Sequence, residues 1–147
     1  MKKQILNAVI TLSVIAALSI AGFAGFVRSV AANIPFDFMV GGEKFPAGEY
    51  TASTGVIQST LMVRNLKTKQ AVVAVSRGLE VRAGSQPRLV FHRYGNQYFL
   101  AKVITDSSGI ELPKSKAERE AAKAKRDLLT MKDAEPEIVT VNAQLGQ

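Results

Sequence analysis

His92 is the only histidine in the chain and the side chain whose ordinary titration lies closest to neutrality. Its chemistry as a general base would need a carboxylate to orient the ring and a nucleophile or water to act on. Asp37, Glu49 and Glu80 are the acids considered for that role, and nothing in the spacing brings any of them to His92. The plainer reading makes His92 a strand residue filling a half-buried slot opposite Phe99. Cysteine is absent, and no serine sits in a nucleophile-elbow motif. The glycines at 41, 42 and 48 lack the spacing of a phosphate-cradling loop. Scattered acids and one histidine argue against zinc and leave calcium only a weak case. The sequence therefore offers no catalytic set, no metal site and no cofactor, and predicts a protein that is not an enzyme.

Binding chemistry has a better candidate. His92, Arg93 and Tyr94, with Tyr98 and Phe99 across a turn, form an aromatic and basic cluster. Aromatic faces on a sheet can stack on sugar rings or bases, and Arg93 can hold an anion. Against this stands the commoner use of aromatics in strands, which is to pack.

These residues sit in the strongest hairpin of the sequence. Arg88–Tyr94 and Gln97–Ile104 flank Gly95-Asn96, a two-residue turn with glycine first, as a type II′ turn requires. That register sets Arg93 against Tyr98, His92 against Phe99 and Phe91 against Leu100. Leu89, Phe91, Tyr98 and Leu100 then share one face, and Val90, His92, Tyr94 and Phe99 the other, so both faces are apolar enough to be covered. Upstream, Ile34 to Val40 alternates with period two, with Pro35 marking an edge or a start. A strand is predicted from about Tyr50, others over 56–64, 71–75 and, more weakly, 79–82, with Asn65–Gln70 as a polar turn. Short strands at this spacing predict a mainly β fold, a small antiparallel sandwich or partly open barrel, over 33–112.

A helix should follow over 113–131. Ser115 with Glu118 three residues on is a capping box, and Ala117, Ala121, Ala124 and Leu128 fall at helical spacing. An alanine stripe buries little apolar area, so the helix lies lightly on the sheet or projects from it. Lys114, Lys116, Arg119, Lys123, Lys125 and Arg126 are interleaved with acids and read as a solvated helix surface, with anionic lipid or an envelope polymer as a lesser alternative. The tail, 132–147, carries Ile138-Val139-Thr140-Val141, which suits one further strand or a loose end.

The N-terminus sets the compartment. Lys2 and Lys3 precede an apolar run from Ile5 to Val27, and the small-residue segment Ser29-Val30-Ala31-Ala32 follows Arg28. This is the order of a signal peptide over 1–32, cut before Ala32 or before Asn33. The run exceeds the ~7–15 apolar residues of an ordinary leader and reaches the ~20 of a membrane span, so a retained inner-membrane anchor is the alternative. Export to the periplasm or beyond follows in both cases. Setting aside Lys2, Lys3 and Arg28 leaves 16 of the 19 basic residues against 12 acids, about +4, which argues for no nucleic-acid partner. Contact with a membrane requires the N-terminal segment to be retained.

Taken together, Ile34-Pro35-Phe36-Asp37-Phe38, the turn Phe45-Pro46-Ala47-Gly48-Glu49-Tyr50, the hairpin from Leu89 to Leu100 and Glu111-Leu112-Pro113-Lys114-Ser115 resemble a group of small uncharacterised exported bacterial proteins. The resemblance reaches about Arg126 and implies an order of leader, β-rich body and charged C-terminal helix. It implies no activity and no functional residue. Two functions remain: an exported domain that binds a protein or envelope component, and a small-ligand binder for a carbohydrate or lipid that uses the hairpin aromatics.

Overall fold

Pro35 cuts the alternating stretch Ile34–Val40 in two. In the structure, a computed structural model describing residues 28–54, 59–128 and 135–146, β1 (Ser29–Ile34) stops before it and β2 (Phe38–Val40) starts after it. Proline has no N–H to give to a ladder, so pairing ends at Ile34, opposite Gly48. Side-chain alternation survives the break: Ile34, Phe38 and Val40 are buried and Pro35 and Asp37 exposed. Asp37 steadies the gap, accepting the Ala47 N–H at 3.0 Å and pairing with Lys44 at 3.4 Å. Gly41 and Gly42, both at positive φ, make the tight turn into β3 (Glu43–Phe45).

Next come β4 (Gly48–Thr54), β5 (Thr60–Asn65) and β6 (Ala71–Val75) as a meander. The expected strand start near Tyr50 moves to Gly48, and the expected start at 56 lies outside the described residues. Asn65 is buried and organises the β5–β6 turn, its Oδ1 accepting the N–H groups of Lys67 and Thr68 at 2.9 and 2.8 Å. The expected strand over 79–82 is displaced: β7 is Arg77–Leu79, paired with β10 (Gly109–Glu111). A side chain at 109 would run into Val81 and Leu79, so the strand pairs there only with glycine opposite. In the next register position Glu111 lies between Arg77 and Lys102, bonded at 2.7 Å to the first and 3.6 Å from the second. The Arg77 hydrogen bond holds its carboxyl below the usual range.

The hairpin β8 (Arg88–Tyr94) and β9 (Gln97–Ile104) has the expected register near its turn, and only Gly95 of the turn pair has positive φ, as type II′ demands. A bulge opposite Val90 and Phe91 leaves Ala101 as the extra residue. After the helix α1 (Lys116–Leu128), the tail run Ile138–Val141 lies in β11 (Glu137–Asn142), paired with β8, and β12 (Gln144–Leu145) pairs with β1.

Two mostly antiparallel sheets result, β12-β1-β4-β5-β6 and β11-β8-β9-β10-β7, with β2 and β3 joined to the second through β9. They form a sandwich-like, partly open barrel with α1, the one helix among the described residues, outside. The β-body starts at Ser29, so the 32/33 boundary expected from the sequence falls inside a paired strand. The core between the sheets is aromatic: Phe38 lies 4.9 Å from Tyr50, 5.5 Å from Phe91 and 5.7 Å from Phe45 between ring centroids. Phe91 is fully buried and also meets Phe36 edge-on. Phe91→Ala should therefore lower the unfolding free energy by about 3–5 kcal/mol, read as a fall in the denaturant midpoint. A shift under about 1 kcal/mol would show that Phe91 is not central to the core.

Candidate functional site

The five hairpin residues divide between two places. His92, Tyr94 and Phe99 face outward from the second sheet, beneath α1. Arg93 and Tyr98 face the other way, at the open end of the core. The structure therefore does not assemble them into one exposed aromatic face.

Under the helix the side chains form a chain of polar contacts. Glu118, 4% exposed, comes within 2.7 Å of His92 Nδ1 through Oε1. The Tyr94 hydroxyl donates to the same oxygen at 3.4 Å, and Lys114 Nζ donates to the Tyr94 oxygen at 3.3 Å. The helix start supplies the acid. Ser115 Oγ accepts the Glu118 N–H at 3.1 Å, which is half of the expected capping box. In the other half, the acid would turn back to the Ser115 N–H; here it is directed to the sheet. An ionised carboxylate only accepts, so with Glu118 ionised the proton of this pair sits on His92 Nδ1. Burial pushes the Tyr94 hydroxyl up from its ordinary pKa, opposed by the Lys114 hydrogen bond and reinforced by the charge of Glu118.

None of the acids considered from the sequence partners His92. Glu118 was legible as a helix cap, but its reach across to β8 depends on how the helix docks. Arg93 donates to the Gly95 carbonyl at 2.8 Å and to Glu137 on β11 at 3.3 Å. Tyr98 is stacked on Phe36 at 3.9 Å, and the Arg93 guanidinium lies 5.3 Å from its centroid. Little of the Tyr98 π-face is left for a sugar.

Beside this clamp the two sheets part. β6 is an edge strand, paired with β5 alone. Between it, the β2–β3 turn and the 112–116 segment is a cavity of about 430 Å³. Met39, Val72, Val73, Val75, Leu100 and Leu112 give it an apolar lining, with Phe99 at its side. Glu43, Lys114, Lys116 and Glu118 bring charge of both signs to the same space. Val73 and Val75 are 58% and 71% exposed, so this is an apolar strand left uncovered. The sequence predicts a strand over 71–75 but does not show which of its valines are left uncovered. A second cavity, about 340 Å³, lies across Met39 and is lined by Phe38, Lys44 and Tyr98 among others.

Among the described residues, no group of three or more His, Cys, Asp or Glu side chains is placed to hold a metal. No protein-family model, curated protein or solved structure matches the chain.

Glu118→Ala should leave His92 and Tyr94 with an unmade buried contact, costing about 1–3 kcal/mol. Hydrogen exchange will read this as faster exchange of α1 amides with little change in β4 and β5; unchanged helix protection would remove the clamp. Alkaline pH gives a separate check. Burial also raises the Tyr50 hydroxyl, opposed by Asn65 and reinforced by Asp37. Both tyrosines ionise later in the folded chain than in the unfolded one. Their contribution is thus intact below about pH 10 and lost as pH rises through the folded values. Tyr50→Phe/Tyr94→Phe should flatten the fall in Tm above that pH, and an identical slope would sink the assignment.

Proposed function

We propose that the chain is an exported, non-catalytic binding domain whose cavity beside β6 receives a small amphiphile of lipid type. The observation that carries this reading is the cavity itself, of a size suited to a small ligand and lined by aliphatic side chains on one part and charged ones on another. Its aliphatic lining favours hydrocarbon over carbohydrate, since Phe99 is the one aromatic among its walls. Export is supported by Lys2 and Lys3 ahead of the apolar run, and by the resemblance to exported bacterial proteins. Lys114 and Lys116 at the cavity suit an anionic head group.

A second reading has its own observation. β6 carries neither charge nor proline along its free edge, the features that normally guard such a strand. An extended segment of a partner protein could add to it there.

Titration with an anionic fluorescent probe, anilinonaphthalene sulfonate, tests the ligand reading. One saturable site is expected, weakened about 10-fold or more by Val75→Asp, since a buried valine contributes about 1.5–3 kcal/mol. Val75 is so exposed that the variant should fold. Equal binding by both proteins would dismiss the cavity as the site. Intact-mass analysis of protein recovered from its native cells separates the two readings: a small bound species supports the first, a bound polypeptide the second.

A further inference from the structure

We infer that removal of the leader spares β1 entirely and cuts upstream of Arg28, at the small-residue register Gly22-Phe23-Ala24. This inference rests on the export reading proposed above. The two cleavage registers drawn from the sequence, before Ala32 and before Asn33, both fall within β1.

What such a cut would remove is built into the fold. Ser29, Val30, Ala31 and Ala32 pair with Ser53, Ala52, Thr51 and Tyr50, leaving only Asn33 and Ile34 of that ladder downstream. Val30 is 1% exposed and belongs to the core shared by the two sheets, as does Ala32. β12 depends on the same residues, since its pairs are Leu145 with Val30 and Gln144 with Ala31. Gly146 donates its N–H to the Ser29 carbonyl at 2.8 Å, and a Cβ at 146 would run into the Ser29 side chain. Arg28 is engaged as well: its carbonyl accepts the Thr54 N–H at 3.2 Å, and its guanidinium donates to Ser107 Oγ. A chain starting at Asn33 would thus lose most of a strand, a core valine and the attachment of its own C-terminal strand.

Upstream, the sequence offers what a signal peptidase needs. Gly22 and Ala24 place small residues three and one before the Ala24–Gly25 bond, and Ser19 and Ala21 do so one register earlier. A cut after Ala24 also shortens the apolar stretch ahead of the small residues to Ile5–Ile20. That brings it closer to an ordinary leader, and the excess length that suggested an anchor is accounted for by Phe23, Phe26 and Val27 lying beyond it.

The test is expression of the full chain in a bacterium, followed by fractionation and by N-terminal sequencing with intact mass. An exported product beginning at Gly25, or at Gly22 from the earlier register, supports the inference. Exported protein beginning at Ala32 or Asn33 overturns it while leaving export standing. Full-length protein held in the membrane overturns it in the same way. Full-length protein in the cytoplasm overturns both the inference and the export reading. Ala21→Leu/Ala24→Leu should block processing and leave the full-length mass. If that variant is cut like the parent chain, the register is wrong.

Discussion

Two sheets with no disulfide between them are tied where the chain passes directly from one to the other. β6 runs through Ser76 into β7, and β11 through Ala143 into β12; each crosses from one sheet to the other in a single residue. A residue at such a corner leaves both ladders, so its N–H needs another partner. Ser76, buried, donates to the Ser59 carbonyl at 2.8 Å, and Ala143 donates to the Pro87 carbonyl at 3.0 Å. These bonds let the sheets close around one aromatic core. The cavity lies along β6, which pairs with β5 alone and leaves its other edge open.

The helix follows a different physical rule. Its stripe is alanine, and Leu128 at its far end is 83% exposed, so apolar burial contributes little to its docking. A buried carboxylate with two hydrogen-bonding partners on β8 takes that role. Breaking one side of such a contact costs more than its formation contributes, because the remaining groups stay buried and unmatched. The device fixes the register of the first helical turn, while the last turn is tied to the tail by Lys125 Nζ, which donates to the Glu135 carbonyl at 2.6 Å. It also places Glu118, Lys114 and Ser115 beside the cavity, so helix anchoring and cavity chemistry share residues.

Local rules were readable from the chain. Gly95-Asn96 specified its hairpin and register, Asn65 its turn, and Ser115 the start of the helix, because each acts within a few residues of itself. What was not readable depends on docking. His92 meets Glu118 only because the helix returns over β8. Tyr98 loses its exposed face only because Phe36 folds back after Pro35. Val73 and Val75 lie on the outward face of β6, and only the fold shows that this face is left uncovered. The small residues at 29–32 match a cleavage signature and also suit a tightly packed strand, and their pairing with β4 was not legible in the sequence.

Among the described residues β1 is the first strand, and its outer neighbour, β12, is the last. Their pairing joins nearly the two ends of the described sequence, and such distant contacts form late because the loop they close is long. The first sheet therefore lacks one flank until residues 144–145 pair with β1. Completion of the first sheet thus waits on a pairing that spans nearly the whole described sequence, and the flank it supplies is the part of that sheet most easily lost.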